Sequence, residues 1–295
     1  MNTNSILCGD GMAFETFINI LKHKKLKIMN VKILGTAAAA LLIAVSCQPK
    51  KAENEEVVAE DMEMTAPAEI SIEKFTNTPA YGSSSLTLKQ PSNTTIAKAG
   101  EVDFAFEVGD YELGAQTEKS GMATNLANSG DGQHIHFILD NMPYSAHYEP
   151  EFKREMPEGT HYLVAFLSRS YHESVKNDNS FIAKKMVVGN ASDDMDVDFE
   201  KPTLIYSRPK GEYTGADTEN LLLDFFLLNT TLSESGNKVR ATINGKEFMI
   251  TEWAPYVIKG LPKGEISIKL ELLDADGNLI PGGFNEVTRT VTLKD

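Results

Sequence analysis

The chain contains very little cysteine. Its 295 residues include two cysteines, Cys8 and Cys47. Removal of an N-terminal segment that ends at residue 46 would leave Cys47 alone, and a single cysteine cannot form a disulfide within the chain. The folded part must therefore be stabilised by its hydrophobic cores, which is feasible for two domains of about 100 residues each.

Basic charge is also scarce. The chain has 28 Lys and Arg against 42 Asp and Glu, a formal net charge of −14 at pH 7. Nucleic-acid binding needs a basic face that neutralises phosphates, so we expect no nucleic-acid partner. The same charge balance disfavours direct binding of the protein surface to anionic lipids.

Signatures of catalysis are missing as well. The sequence has no Gly-x-Ser-x-Gly elbow, no P-loop and no glycine fingerprint for a dinucleotide. After processing it would also have no cysteine nucleophile. We therefore expect a binding or structural protein and not an enzyme.

An N-terminal segment resembles a bacterial lipoprotein signal. It has a start at Met29, a basic Lys32, an apolar run over 33–45 that is too short to span a bilayer stably, and then Ser46-Cys47. Ala44-Val45-Ser46-Cys47 is similar to a lipobox, with Ala44 where Leu is usual. The resemblance implies a signal peptide over 1–46, lipidation of Cys47 and an extracytoplasmic protein anchored to a membrane. Gln48, in place of Asp, points to the outer membrane of a Gram-negative bacterium.

Two kinds of sequence follow the signal. Residues 47–69 are rich in Glu, Ala and Met without a sustained period, which predicts a lipidated, acidic and disordered tether. From about Leu86 onward, short alternating runs are separated by Gly, Pro, Asn and Asp, which predicts an all-β fold.

The all-β part repeats itself. Five segments match in the same order: 86–91 with 204–209, 103–104 with 224–225, 134–139 with 238–243, 156–159 with 261–264, and 185–187 with 289–291. We therefore expect domain 1 at 70–192 and domain 2 at 200–295, joined by an acidic linker over 193–198. The strand spacing favours two tandem immunoglobulin-like β-sandwiches, with one larger jelly-roll as the alternative.

The two copies differ on their outward faces. In domain 2, residues 238–243 and 265–272 alternate between apolar core positions and polar exposed positions. Domain 1 has His134 and His136 where domain 2 has Lys238 and Arg240, and it has Tyr162, Val164 and Phe166 where domain 2 has Ser267, Lys269 and Glu271. If the two strands are neighbours, this apolar patch indicates either a binding site or a face that domain 2 or a loop covers.

Domain 1 also carries an insertion within residues 110–133, directly before the His134-Ile-His136 strand. It is rich in Gly, Asn, Ser and Ala. Long loops of this kind are often functional. The alternatives to a functional loop are a flexible insertion without a role and a flap that covers the apolar face.

Histidine gives the strongest chemical signal. Domain 1 contains five His and domain 2 has none. His134 and His136 lie on one face of a strand, about 7 Å apart, and suit a Zn or Cu site if His172 or His147 supplies a third ligand. The alternatives are a hydrogen-bonded network and contacts with a non-metal ligand. His161 aligns with a core position and is expected to be a buried structural residue.

A second cluster lies in residues 168–176. Arg169, Tyr171 and Lys176, with Ser170 and His172, combine charge-assisted donors and hydroxyls that suit a carboxylate or phosphate. The alternative is a polar hairpin loop, as in residues 274–283 of domain 2.

Two family resemblances follow from these motifs. Domain 1 resembles a family of small bacterial extracytoplasmic domains of unknown function. The resemblance covers residues 132–140 and 156–161, which contain His-x-His, an Asp that closes the strand, and Pro-x-Gly-x-His. The mature chain resembles bacterial tandem immunoglobulin-like lipoproteins that carry the label "phosphopeptide-binding protein", which implies a role for Arg169 and Lys176.

These observations predict a lipid-anchored cell-envelope protein without catalysis. Domain 1 would bind a peptide, a protein or a small anion through Tyr162, Phe166, Arg169, Tyr171 and Lys176. It would alternatively bind a metal through His134, His136, His172 and His147. The alternatives are a metal-binding protein or metalloenzyme centred on the histidines, and a structural envelope component.

Overall fold

The structure is a computed structural model that describes residues 69–190 and 195–295. The predicted signal peptide, Cys47 and nearly all of the predicted tether lie outside the described residues. Within the described ranges, no helix is long and apolar enough to cross a membrane.

The first domain is a β-sandwich that follows a short strand, β1 (Ser71–Lys74). Its strands are β2 (Ser85–Gln90), β3 (Thr95–Ile96), β4 (Gly100–Gly109), β5 (His134–Leu139), β6 (Ser145–His147), β7 (Glu151–Met156), β8 (Gly159–Ser168) and β9 (Phe181–Val188). One sheet has the order β2-β4-β7, and the other has the order β3-β9-β8-β5-β6.

The second domain repeats this arrangement. Its strands are β10 (Thr203–Arg208), β11 (Glu212–Tyr213), β12 (Leu221–Leu228), β13 (Lys238–Ile243), β14 (Lys246–Ile250), β15 (Tyr256–Lys259), β16 (Gly264–Leu273) and β17 (Glu286–Leu293). Its sheets have the orders β1-β15-β12-β10 and β11-β17-β16-β13-β14.

The two domains correspond strand for strand. In each one, a two-residue strand pairs in parallel with the last strand, β3 with β9 and β11 with β17. The first long strand of each has a register shift at the equivalent place, between Leu88 and Gln90 and between Tyr206 and Arg208. The prediction of two tandem immunoglobulin-like β-sandwiches is confirmed.

The alternation of apolar and polar residues builds the two inner cores. In β13, Val239, Ala241 and Ile243 are fully buried between the sheets, while the residues between them are half-buried. In β5 of the first domain, Ile135 and Phe137 occupy the same inward positions. Because side chains alternate across a strand, the outward face of β5 holds His134 and His136.

Strand β1 does not belong to the sandwich in which the sequence placed it. Ser71–Lys74 lie within the predicted first domain, yet they pair with Tyr256–Lys259 at the edge of a second-domain sheet. An open edge strand exposes unpaired backbone groups, and β1 satisfies those of β15. The second domain therefore includes a strand that precedes the first domain in the chain.

The outward face of β5 and β8 packs against the second domain. A single hydrophobic cluster, called here the junction cluster, joins Ile138, Tyr144, Tyr162, Val164 and Phe166 to Ile205, Phe226, Leu228 and Phe284. Every residue of β10 and β12 is buried, because one face of these strands lines their own core and the other meets the first domain.

Candidate metal centre

Two of the candidate ligands lie next to each other on β5. His134 and His136 are fully buried. Their strand pairs with β8, where His136 lies opposite Phe166. The imidazoles therefore occupy a narrow space between the sheet of the first domain and the second domain.

The third candidate, His172, comes from the turn after β8. Its backbone has φ of 72°, in the left-handed region that non-glycine residues rarely adopt. The turn is closed by hydrogen bonds from Arg169 N to Glu173 O and from His172 N to Arg169 O, each 2.9 Å. Strain of this kind persists where the surroundings impose it, often at functional sites.

The three rings converge on one point. His136 Nε2 is 2.9 Å from His134 Nε2, and His172 Nδ1 is 3.2 Å from the same nitrogen. One ring nitrogen from each of the three lies within 4.8 Å of the others. We call these residues the three-histidine cluster.

Neighbouring groups fix the orientation of the rings. His134 Nδ1 lies 2.8 Å from the carbonyl oxygen of Gly132. A carbonyl only accepts hydrogen bonds, so His134 Nδ1 carries the proton and Nε2 offers a lone pair to the cluster. His136 Nδ1 lies 3.3 Å from Ser207 Oγ, which belongs to the second domain.

Burial keeps the three imidazoles neutral. It lowers the pKa of His134 to about 4 and lowers the pKa values of His136 and His172 well below their usual range. The nearby charges of Arg208 and Lys210 act in the same direction. Neutral imidazole is the form that binds a metal ion.

The insertion in the first domain holds two sides of this site. Gly132, near its end, accepts the hydrogen bond from His134. Thr117 and Asn128 hydrogen-bond Ser170, and Ser129 N donates to Ser170 O at 2.8 Å, which anchors the turn that carries His172. The insertion is thus an ordered support of the histidine site and is not a flap over the apolar face.

Tyr144 lies directly against the cluster. Its ring stacks on His136 with centroids 3.5 Å apart and 13° between the planes. Its hydroxyl is 3.2 Å from His172 Nδ1. Two cations of the second domain also contact the Tyr144 ring. Lys210 Nζ lies 3.7 Å from the ring centroid, and the guanidinium carbon of Arg208 lies 5.3 Å from it.

His147 is separate from the cluster. Its ring stacks on Phe152 at 3.4 Å, and its Nε2 is 2.8 Å from Ser145 Oγ. Burial lowers its pKa to about 4. Of the two histidines that the sequence offered as a third ligand, the structure brings His172 to the pair and places His147 elsewhere.

His161 occupies a structural position. Its Nδ1 lies 2.7 Å from Asp140 Oδ2, and its Nε2 lies 3.0 Å from the carbonyl oxygen of Pro157. The other carboxylate oxygen of Asp140 accepts a hydrogen bond from Tyr162 N at 2.8 Å. Two residues of the sequence motif, Asp140 and His161, therefore link the end of β5 to the start of β8.

The cationic candidates have partners inside the protein. Arg169 is buried and contacts Glu173, the carbonyl oxygen of Ser174 and that of Pro79. Lys176 Nζ lies 2.5 Å from Asp224 Oδ1, across the domain junction. These contacts use the charges that an anionic ligand would need.

The aromatic candidates also make internal contacts. Tyr162 and Phe166 belong to the junction cluster, and Phe166 stacks on Phe226 at 5.0 Å. Tyr171 packs with Phe75 and Leu222 in a second cluster between the domains. The face that the sequence offered as a ligand surface is the face that the second domain covers.

Sequence reasoning missed four groups around the cluster: Tyr144, Ser207, Arg208 and Lys210. The last three come from the second domain and have no signal near the histidines in the sequence. The sequence does contain one indication that the second domain is covered on its outer side: residues 221–228 form a nearly continuous apolar run. Such a run is typical of a strand that is buried on both faces.

No protein-family model matches the chain, and no curated protein matches its sequence. Solved structures of tandem β-sandwich modules are weakly similar. The fibronectin(III)-like modules of Clostridium thermocellum CbhA are 16% identical, with 71% of this chain and 94% of that chain covered and a TM-score of 0.25.

Two further solved structures show the same kind of similarity. SGBP-B of Bacteroides ovatus, solved with a mixed-linkage heptasaccharide, is 16% identical over 70% of this chain and 47% of that chain, with a TM-score of 0.21. A two-domain fibronectin type III segment of chicken tenascin is 6% identical over 70% and 97%, with a TM-score of 0.20. At such scores the fold assignment stands on the strand pairing of this chain, and the similarities carry no argument about function.

Proposed function

We propose that the first domain binds a transition-metal ion, Zn²⁺ or Cu²⁺, through the three-histidine cluster. The observation that carries the proposal is that one ring nitrogen from each of His134, His136 and His172 lies within 4.8 Å of the other two. Imidazole nitrogens suit Zn²⁺ and Cu²⁺, whereas Ca²⁺ and Mg²⁺ prefer oxygen ligands.

The spacing of the nitrogens favours an ion over a network of hydrogen bonds alone. His134 Nε2 offers one lone pair, and ring nitrogens of His136 and His172 lie 2.9 and 3.2 Å from it. One lone pair accepts one good N–H hydrogen bond. In the other contact, either a second N–H group competes for the same lone pair or two lone pairs face each other, and a shared metal ion removes either conflict.

The proposed location is the cell envelope, with Cys47 as the lipidated anchor. The support is the lipoprotein-like signal that ends at Cys47. Cells grown with a clickable fatty acid should label the wild-type protein and not Cys47→Ala. Equal labelling of both proteins would contradict the anchor without bearing on the metal site.

Metal binding is tested by titrating the purified protein with Zn²⁺ and Cu²⁺ in a calorimeter. We expect the wild type to bind one ion per chain and His134→Ala with His136→Ala to lose stoichiometric binding. The matched control is His147→Ala, which removes a histidine of the same domain outside the cluster and should still bind. A wild type that binds neither ion would overturn the proposal.

A structural role in the envelope is the second candidate. The observation in its favour is that Tyr162 and Phe166, proposed from the sequence as ligand residues, are fully buried at the domain junction. The same titration separates the two candidates, since a purely structural protein would bind neither ion.

A further inference from the structure

We propose that the hydroxyl oxygen of Tyr144 is the fourth ligand of the metal ion, so that the site is closed by three nitrogens and one oxygen. This inference rests on the proposed function and identifies the chemistry of the complete site. Three histidines alone leave one position of a tetrahedral ion open.

The position of the hydroxyl carries the first step. Tyr144 Oη lies 3.2 Å from His172 Nδ1, the same distance that separates His172 Nδ1 from His134 Nε2. Two ligands bound at 2.0–2.1 Å to one tetrahedral ion lie about 3.3–3.4 Å apart. The hydroxyl therefore stands at a ligand-to-ligand distance from one of the three donor nitrogens, His172 Nδ1, before any rearrangement.

The ring of Tyr144 is held rigidly. It is buried and lies between His136, on which it stacks at 3.5 Å, and the ammonium of Lys210. Lys210 Nζ also donates a hydrogen bond to the backbone oxygen of Tyr144 at 2.7 Å. A ligand whose side chain is fixed by packing loses little conformational freedom when the ion binds.

The third argument for Tyr144 as a ligand comes from the positive charges of Arg208 and Lys210 beside the site. Arg208 is buried and donates a hydrogen bond to the hydroxyl of Tyr213. Within the described ranges, neither Arg208 nor Lys210 forms an ion pair with a carboxylate. A divalent ion bound by three neutral imidazoles would add two positive charges beside them. When the hydroxyl binds the ion it releases its proton to the solvent, and the negative charge left on the phenolate oxygen offsets that excess.

A closed ligand set has a functional consequence. Catalytic zinc sites keep one position open for water or substrate, whereas structural sites are closed. With Tyr144 bound, no position is left for a reactant. The site would hold its ion, which suits a metal-binding protein of the envelope better than a metalloenzyme.

The test compares Tyr144→Phe with Tyr148→Phe. Tyr144→Phe removes the proposed ligand atom and keeps the ring that stacks on His136. Tyr148 is the matched control, since its ring lies 5.0 Å from His134 but its hydroxyl bonds to Ser129 Oγ at 2.8 Å. Both variants lose one phenol next to the cluster, and the proposal assigns a metal contact to one of them.

We expect the Cu²⁺-loaded wild type and Tyr148→Phe to show a visible phenolate-to-copper charge-transfer band that Tyr144→Phe lacks. The affinity of Tyr144→Phe for Zn²⁺ should fall by at least about tenfold. If both variants bind both ions as the wild type does, with the same spectrum, Tyr144 is not a ligand and the three-histidine site stands. If the wild type binds no ion, this inference fails together with the proposed function.

Discussion

The two domains use one pair of cross-strand positions in opposite ways. In the second domain, Arg240 faces Glu271 across β13 and β16, and two hydrogen bonds of 2.8 Å join their side chains. Arg240 is partly exposed to solvent, whereas Glu271, expected from the sequence to be exposed, is buried beneath it. In the first domain the equivalent positions hold His136 and Phe166, both fully buried. The backbone pairing is the same, and the side chains decide whether the sheet faces water or another domain.

This difference shows how one fold can present two different outward faces. The inward residues of both copies keep the alternation that closes a sandwich, so either copy preserves its core. An ion pair on the outward face is satisfied in water, whereas an aromatic ring and a neutral imidazole there favour burial. Once the second domain covers that face, buried histidines can be held close together without protonation.

The largest effect is expected when the two domains are separated. A fragment of residues 195–295 keeps its inner core but loses β1 and exposes Ile205, Phe226 and Leu228. Contiguous apolar patches of this kind promote association. We expect the fragment to self-associate and to bind an apolar dye, as measured by light scattering and dye fluorescence.

The full chain is the reference for that experiment. A fragment that stays monomeric and melts at the same temperature as the full chain would show that the junction cluster contributes little to stability. The comparison of the two outward faces would then lose its energetic basis.

An intermediate effect is expected from truncating one junction side chain. Phe166 is fully buried and stacks on Phe226, so Phe166→Ala should lower the free energy of unfolding by about 3–5 kcal/mol. The matched variant is Ser267→Ala, on the exposed outward face of β16, which should change it by less than about 0.5 kcal/mol. Urea unfolding of both variants measures the difference, and equal effects would contradict the assignment of the two faces.

The smallest effect concerns the ion pair of the second domain. Hydrogen bonds from Arg240, with a further contribution from Lys269, lower the pKa of Glu271 from 4.5 to about 2. Because the folded-state pKa is depressed, the stabilisation is present above pH 4.5 and is lost as the pH falls through 2. Glu271→Gln should therefore cost about 1 kcal/mol at pH 7.

The pH dependence distinguishes this pair from a general effect of charge. The difference in stability between the wild type and Glu271→Gln should shrink toward zero between pH 5 and pH 2, as followed by urea unfolding at several pH values. Glu265→Gln removes an exposed carboxylate from the same strand and serves as the control. A constant difference between Glu271→Gln and the wild type across this range would disprove the linkage.

Local patterns in the sequence were sufficient for the architecture. The matched segments of the two repeats and the alternation in residues 238–243 predicted the tandem sandwiches, and the same alternation placed His134 and His136 outward. These inferences succeed because side chains in a strand alternate with a period of two residues, whatever packs against them later.

The roles of several candidate residues depended on distant parts of the chain. Arg169 and Lys176 look like anion ligands in the sequence, but Glu173 and Asp224 pair with them in the structure. No local pattern shows that Asp224, in the other domain, lies opposite Lys176. Buried charges require such partners, and only the packing of the domains supplies them.

The sequence by itself determined that two β-sandwiches form and that the first one carries outward-facing histidines. Tertiary structure decided that β1 joins the second domain, that the outward face of β5 and β8 is covered, and that His172 and Tyr144 meet the pair on β5. The physical reason is the separation along the chain of the residues that interact. Strand alternation is set by neighbouring residues, whereas the cover and the convergence of ring nitrogens arise from contacts between residues far apart in the chain.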